Sequence, residues 1–172
     1  LLIFMGWVNI YAANFSTDYP SIFDTHREYG MQFIWILVGL VFGVVLLLIE
    51  GEFYRRNAIF FYGGVCLLLA LVLIFGREVN GAKSWFGVGG FGVQPSEFAK
   101  IGTAILMAAY LSDVKVIQHS KHILLTAIGI IALPSLLILA QPDVGTLLVF
   151  SGFLLVLYRE GLVGNVIFYG IG

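Results

Sequence analysis

Charged residues are scarce in this sequence, and their scarcity excludes several classes of protein. Of the 172 residues only 11% are charged, whereas about 25% is usual for a soluble domain. The formal net charge is −1, so no excess of positive charge points to nucleic acid. The single cysteine, Cys66, cannot form an internal disulfide, and its apolar neighbours indicate a small buried side chain. The sequence therefore does not resemble a soluble enzyme domain, a nucleic-acid-binding domain or a disulfide scaffold.

Long apolar stretches are what the sequence has in abundance. Hydrophobic residues make up 60% of it, and a helix that crosses a membrane needs about 20 of them in a row. No strand-like alternation interrupts the pattern, so we predict an all-α fold, a polytopic transmembrane bundle of about six to seven helices. The apolar stretches occupy residues 1–13, 31–49, 58–75, 95–111, 123–140 and 144–158, and a further one begins at residue 162.

Both ends of the sequence lie inside apolar runs. The first residue is Leu1 rather than a methionine, and the last run continues to Gly172. We therefore expect residues 1–172 to be part of a longer transmembrane domain that is cut at both ends, and the absence of a signal peptide carries no weight.

The distribution of Lys and Arg predicts how the bundle lies in its membrane. If the first helix runs outward, the loops on the inner side are 50–57, 112–122 and 159–161, and they hold five Lys and Arg residues. The outer segments, which include 76–94 and 141–143, hold three. Because positive residues favour the cytoplasmic side, we predict that 76–94 and 141–143 face outward.

The predicted outer segment 76–94 is rich in glycine and aromatic residues and leads directly into a helix start. Lys83 and Trp85 lie within it. Such a segment can fold along the membrane surface and contribute to a site, or it can be an ordinary flexible connector. The composition alone does not decide between the two.

Residues 94–97, Gln-Pro-Ser-Glu, are typical of the start of a helix. Proline suits the first turn, and an acidic residue there favours the positive end of the helix. Helix capping explains Glu97 but not Lys100, which lies on the same face and ~6–8 Å into the helix. Lys100 either extends back to the surface or pairs with Glu97 in a polar cavity of the bundle. The second interpretation makes both residues candidates for function.

The same pattern recurs in residues 141–143, Gln-Pro-Asp, at the predicted outer start of the sixth stretch. Asp143 in a first turn can simply stabilise its helix, by ~0.3–1 kcal/mol. Alternatively the two turns bring Glu97 and Asp143 to one outward-facing cavity. Both interpretations stay open on spacing alone.

Three motifs taken together resemble the SEDS family of proteins for shape, elongation, division and sporulation. They are Gly-Ala-Lys-Ser-Trp at 81–85, Gln-Pro-Ser-Glu-Phe-Ala-Lys at 94–100 and Gln-Pro-Asp-Val-Gly-Thr at 141–146. Residues 9–13 and 157–161 resemble the elongation branch of that family more than the division branch. The resemblance covers essentially the whole chain, and it implies a bundle of about ten helices, of which the first six and part of the seventh would be present here.

The resemblance also implies an activity and its residues. It implies a peptidoglycan glycosyltransferase that polymerises lipid II into glycan strands at the outer face of the membrane, with a class B penicillin-binding protein as partner. Supporting catalytic roles fall on Glu97, Lys100 and Asp143, and the main catalytic acid is expected beyond residue 172, so this piece alone is expected to be inactive. The same motifs provide the candidate substrate-binding residues Lys83, Trp85, Gln94 and Gln141.

Two positions depart from the family pattern. Relatives often carry arginine where this sequence has Ser84 and Gly92. Lys83 can supply the first positive charge, whereas the second has no evident replacement. A divalent cation such as Mg or Mn could assist departure of a diphosphate. No metal site is predicted, however, because the histidines of the inner loop have no carboxylate or cysteine partner other than Asp113.

Two other functions remain as alternatives. A transporter that flips the lipid-linked precursor would line a path with polar residues through the membrane, including its inner half. A scaffold that only holds a penicillin-binding protein would tolerate changes to the three candidate catalytic residues. The candidate residues all fall on the predicted outer side, which favours chemistry at a surface.

Overall fold

The computed structural model describes residues 1–15, 21–79, 81–88, 91–113 and 121–161. Within these ranges the chain forms six helices, which confirms the all-α bundle, and three short strands between the third and fourth helices. The elements in chain order are α1 Leu2–Ala13, α2 Glu28–Leu48, α3 Gly51–Phe75, β1 Arg77–Val79, β2 Ala82–Val88, β3 Phe91–Val93, α4 Pro95–Asp113, α5 Lys121–Leu139 and α6 Val144–Arg159.

Three of these helices are long and apolar enough to cross a membrane, so the chain is a multi-pass membrane protein. They are Glu28–Leu48, Gly51–Phe75 and the His122–Leu139 part of α5. The helices α1 and α6 are apolar but shorter, and α4 carries Glu97 and Lys100 near its start, so a span at 95–111 stays a prediction. The predicted seventh helix, from residue 162, lies outside the described residues.

One boundary prediction was wrong in a way that affects the charged residues. The third helix begins at Gly51 rather than near residue 58, so Arg55 and Arg56 lie in its first turns and not in a loop. Arg55 bonds Glu52 within the helix at 2.9 Å. The apolar run predicted too late a start for this helix because its first turns are polar. Helices commonly extend beyond their apolar stretch into the membrane–water interface.

Residues 1–50 form a compact unit of their own, built on aromatic packing between α1 and α2. The indole N–H of Trp7 donates to the carbonyl oxygen of Tyr29 at 2.7 Å. The Trp7 ring also stacks on Phe33, with ring centroids 5.0 Å apart, and Tyr29 is fully buried. A satisfied Trp N–H inside an aromatic cluster is a favourable way to join two membrane helices.

The second unit, residues 51–172, packs small, polar and large apolar side chains in its core and exposes many further large apolar side chains. Ser96, Ala99 and Thr103 are fully buried along one face of α4. Gly102 allows α4 to approach α3 closely, because a Cβ there would lie 2.7 Å from a methyl group of Val65 and 3.4 Å from the carbonyl oxygen of Phe61. Small residues at helix contacts are typical of membrane bundles, where lipid already solvates the apolar surface.

A tyrosine of α3 compensates for the proline inside α5. Pro134 has no N–H, so the carbonyl of Ile130, four residues earlier, loses its usual helical partner. The hydroxyl of Tyr62 donates to that carbonyl at 2.9 Å. The freed backbone group is thus satisfied by a neighbouring helix, as the interior of a membrane requires.

The segment 76–94 is not the strand-free connector that the sequence suggested. It forms a three-stranded antiparallel sheet in the order β1-β2-β3. Asn80-Gly81 and Gly89-Gly90 stand between the strands in the sequence, and such dipeptides are characteristic of tight hairpins. Gly81 has a φ of +82°, a conformation that favours glycine. The strands were missed because each is too short for its alternation to be recognised.

Replacing Tyr62 with phenylalanine is expected to lower the unfolding free energy by about 1 kcal/mol, because the Ile130 carbonyl then has no donor. In a Pro134→Ala background the helix supplies its own N–H, so the same change should cost little. Unfolding in mixed micelles would measure both effects. Tyr158→Phe, at an exposed tyrosine of α6, is the control. Equal costs of Tyr62→Phe in both backgrounds would contradict this interpretation.

Candidate functional site

Four parts of the second unit meet at one end of the bundle. The end of α3 leads into the sheet, the sheet leads into the start of α4, and the turn between α5 and α6 lies beside them. Gly76 makes the first connection possible, because a Cβ there would collide with the carbonyl of Val72. All seven candidate residues from the sequence lie at this end, within the sheet, the two helix starts or the turn.

The two Gln-Pro-acid turns contact one another directly. The side-chain amide of Gln94, just before α4, donates to Oδ2 of Asp143 at 2.7 Å. Asp143 is also the N-cap of α6, where Oδ1 accepts from the backbone N–H of Thr146 at 3.1 Å. The hydroxyl of Thr146 adds a third bond, to Oδ2, at 2.7 Å. The two turns therefore come together through Gln94 and Asp143, whereas a shared outward-facing cavity for Glu97 and Asp143 stays a prediction.

These bonds assign Asp143 a positioning role in the geometry seen here. Its carboxylate accepts from three donors of the chain itself, which leaves little capacity to take a proton from a substrate. The capping interpretation of Asp143 is confirmed, and the same carboxylate also holds the residue that precedes α4. Thr146 was missed as a contributor, although a threonine three residues after an acidic cap is a recognisable signal.

Gln141 lies in the interior rather than on the site surface. It is fully buried, and its amide donates to the carbonyl of Leu69 in α3 at 3.2 Å. Its own carbonyl oxygen, Oε1, has no hydrogen-bond partner among the described residues. Gln141 therefore ties the α5–α6 turn to α3, and the position predicted for substrate binding is a packing position in this structure.

Glu97 and Lys100 form the pair that the sequence predicted. Nζ of Lys100 donates to Oε1 of Glu97 at 2.8 Å. Glu97 is 57% exposed and Lys100 is 27% exposed, so the pair is open on one side. The pair lies on the surface of the α4 start rather than deep in the bundle. A surface ion pair of this kind is worth at most about 1 kcal/mol, so its contribution to stability does not by itself explain why Lys100 stands here.

Lys83 and Trp85 both belong to β2, on either side of Ser84. The pairing of β2 with β1 shifts its register opposite Ser84, so the regular alternation of side chains is interrupted between Lys83 and Trp85. Nζ of Lys83 donates to the carbonyl of Ile74 at 3.0 Å, near the end of α3. Ser84 is 2% exposed, whereas Lys83 and Trp85 are partly exposed.

Within the ranges that the structure describes, no group of three or more His, Cys, Asp or Glu side chains comes close enough to hold a metal ion by itself. Glu97 is paired with Lys100, and Asp143 accepts from neutral donors. A divalent cation that assists departure of the diphosphate stays a prediction, since such an ion can be held by one or two carboxylates together with substrate phosphates.

Fold and site together define a class: a polytopic helical membrane protein with a polar site at one end of its bundle. The sequence profile of the FtsW/RodA/SpoVE family, described as cell cycle proteins, matches residues 1–171. The chain is 37% identical over 156 residues to the peptidoglycan glycosyltransferase RodA of Treponema pallidum, covering 89% of this chain and 34% of that protein. The chain therefore belongs to the FtsW/RodA/SpoVE family.

Solved structures agree with that assignment. The rod-shape-determining protein RodA of Thermus thermophilus is 30% identical, with a TM-score of 0.74 over 93% of this chain and 50% of that one. A peptidoglycan synthase complex, described as coordinating polymerisation and crosslinking, contains a chain that is 30% identical with a TM-score of 0.71, covering 98% of this chain and 50% of that one. The resemblance to the elongation branch is confirmed, and the chain spans about half the length of these solved chains.

The Gln94–Asp143 contact predicts a strong energetic coupling between the two turns. Asp143→Ala should cost about 1–3 kcal/mol, because it removes both the cap and the acceptor. Gln94→Met should be costly in the original chain and nearly neutral when Asp143 is already alanine. A double-mutant cycle on unfolding free energies should give a coupling of about 0.5–3 kcal/mol. Simple additivity of the two costs would contradict the contact.

Proposed function

We propose that this chain is the part of a peptidoglycan glycosyltransferase that binds lipid II and supports its polymerisation at the outer face of the cytoplasmic membrane. The observation that carries the proposal is the open Glu97–Lys100 pair beside the joined Gln94 and Asp143 turns. The relatives reported above carry that activity in their names. We further propose that the end of the bundle with the sheet faces outward, as the bias of Lys and Arg suggests.

The reaction sets the requirements for the side chains. A sugar hydroxyl of one substrate attacks the anomeric carbon of another, so a C–O bond forms there. The bond from that carbon to the diphosphate oxygen breaks, and the lipid diphosphate leaves with both electrons. The proton of the attacking hydroxyl passes to a base. The site therefore needs an acceptor for the hydroxyl and cations for the departing diphosphate.

Glu97 and Lys100 match these two requirements. The carboxylate of Glu97 is exposed enough to accept a hydrogen bond from a substrate hydroxyl and orient it. The ammonium of Lys100 has three N–H donors, of which one bonds Glu97, so it can bond diphosphate oxygens at the same time. A fixed positive charge beside a developing negative charge lowers the barrier most where water is restricted, as at a helix start half inside a membrane.

Asp143 and Gln94 support the pair without contacting the reacting atoms. Their bond fixes the first turn of α4, and that turn carries Glu97. A displacement of about 1 Å is enough to cost a large factor in rate. Asp143 is thus proposed as a positioning residue. The residue that takes the proton is proposed to lie outside this chain.

A partner that crosslinks the product is part of the same proposal. The solved synthase complex described above joins polymerisation and crosslinking, and a class B penicillin-binding protein has the chemistry to supply the second step. Large apolar side chains cover the outside of the described helices, for example Phe60, Leu47 and Leu155. Some of this surface meets lipid, and some of it is available for the partner's membrane helix.

A flippase is less well supported by the arrangement of charges. A translocation path would need polar groups along the bundle, but the described Asp, Glu, Lys and Arg residues of α3 to α6 lie near the helix ends. The middle of each of these helices is apolar or carries neutral side chains such as Thr103. The charged residues therefore favour chemistry at one surface.

Removing the charge of either partner of the pair should lower polymer yield from labelled lipid II by tenfold or more, about 1.4 kcal/mol in the barrier. The variants are Glu97→Gln and Lys100→Met in a full-length polymerase that contains this chain. A matched pair at the other end of the bundle, Glu52 and Arg55, has the same spacing and a 2.9 Å contact. Glu52→Gln and Arg55→Met should change yield less than twofold.

Exchange of the two charges separates chemistry from stability. The double variant Glu97→Lys with Lys100→Glu can re-form an ion pair, so the protein should keep its unfolding temperature but not its polymer yield. Normal yield in this variant, or in both single variants, would sink the roles proposed for the pair. Normal yield combined with loss of the co-purifying penicillin-binding protein would instead support a scaffold.

A further inference from the structure

We propose that Arg77 supplies a cation for the phosphate groups of the lipid-linked substrate, on a binding surface that it forms with Trp85 on the outer face of the sheet. The proposal deepens the proposed function and rests on it. It assigns Arg77, which none of the family motifs includes, to substrate binding. The strand register, the two glycines beneath the side chains and the charges nearby support this assignment.

The register of the sheet places Arg77 and Trp85 on the same face. Arg77 of β1 is the cross-strand partner of Trp85 of β2, just before the register of the two strands shifts, and partners across an antiparallel pair project to the same side. Gly87 lies two residues beyond Trp85 and pairs with Gly92 of β3. The four positions therefore form one continuous patch, with two large side chains and two glycines.

The glycines let the large side chains lie flat on the sheet. A Cβ on Gly87 would stand 3.1 Å from Cδ and 3.2 Å from Nη1 of Arg77, so the arginine side chain crosses directly above Gly87. A Cβ on Gly92 would stand 2.8 Å from Cε3 of Trp85, so the indole covers Gly92. Because Gly87 and Gly92 face each other across the strands, the guanidinium and the indole rest on adjacent positions of the sheet.

The guanidinium is free to bind a ligand. Arg77 is exposed, and its side chain makes no hydrogen bond or ion pair with the described residues. Its five N–H donors suit the oxygens of a phosphate in a bidentate arrangement. The nearest charged residues in the strand register are Glu78 and its partner Lys83, and the ammonium of Lys83 is held at the α3 end by the carbonyl oxygen of Ile74.

An amphipathic ligand with a phosphate group fits this surface better than a free anion. The indole offers an apolar plane for a sugar ring or for the start of a lipid chain, and the guanidinium beside it offers charge. The substrate of the proposed reaction combines these parts in one molecule. The surface also accounts for Gly92, since an arginine side chain there would collide with Trp85.

The test measures binding of three lipids to the full-length polymerase in nanodiscs of neutral lipid. The probes are lipid II, a polyprenyl diphosphate without sugar, and phosphatidylglycerol. Arg77→Gln should raise the Kd of lipid II and of the polyprenyl diphosphate about tenfold and leave that of phosphatidylglycerol unchanged. Arg77→Lys should raise the first two less, because it keeps the charge but loses the bidentate geometry. Gly92→Val should displace the indole and raise the Kd of lipid II.

Arg55→Gln, an exposed arginine at the other end of α3, is the control and should leave all three Kd values unchanged. Unchanged Kd values for both diphosphates in Arg77→Gln would overturn the proposal. An equal loss for phosphatidylglycerol would also overturn it, because the surface would then bind anionic lipid in general. Unfolding temperatures of all variants identify any that fail to fold, and Arg77→Lys keeps the test decisive in that case.

Polymerisation assays separate this proposal from the proposed function. If Arg77→Gln raises the KM for lipid II with little change in kcat, the proposed polymerase function and the binding role of Arg77 are both supported. Polymer formation with an unchanged KM in Arg77→Gln would refute the role of Arg77 alone. Binding that depends on Arg77, in a protein that forms no polymer under any condition, would refute the polymerase and keep the binding surface.

Discussion

The hydrogen bond between Gln94 and Asp143 is the contact on which the rest of the site depends. It joins two turns that are 49 residues apart in sequence and that begin the helices α4 and α6. The start of α4 carries the Glu97–Lys100 pair and follows the sheet directly, so the position of both depends on that turn. The carboxylate of Asp143, which also caps α6, thereby orders this end of the bundle. The turn between α5 and α6 is also anchored to α3, because the buried side chain of Gln141 donates to the carbonyl oxygen of Leu69.

The membrane as solvent explains much of the remaining packing. Lipid solvates apolar side chains, so burial of Leu or Phe gives these helices little reason to associate. The helices are held together instead by the close approach of α3 and α4 at Gly102 and by hydrogen bonds such as the one from the Tyr62 hydroxyl to the Ile130 carbonyl. The hydrogen bond satisfies a carbonyl that hydrocarbon cannot satisfy. Pro134 is tolerated for this reason.

Several features were predictable because a local rule produces them. Apolar stretches of sufficient length predicted the helices, and proline followed by an acid predicted the starts of α4 and α6. The Glu97–Lys100 pair followed from helical spacing. The sheet was missed, since strands of three and seven residues carry too little alternation to stand out among apolar neighbours. The Asn-Gly and Gly-Gly pairs were the available signal for it.

What the sequence determined by itself was the class of protein, the ends of most helices and the motifs that indicate the family. These depend on hydrophobicity and on spacings within a single turn, which act locally. Tertiary structure decided which motif residues remain open to a ligand. It turned Asp143 and Gln141 inward, left Glu97 and Lys100 on the surface, and set Arg77 beside Trp85. Such outcomes depend on contacts between residues far apart in the chain and on the register of strands, because a side chain's availability is set by what the rest of the fold already bonds.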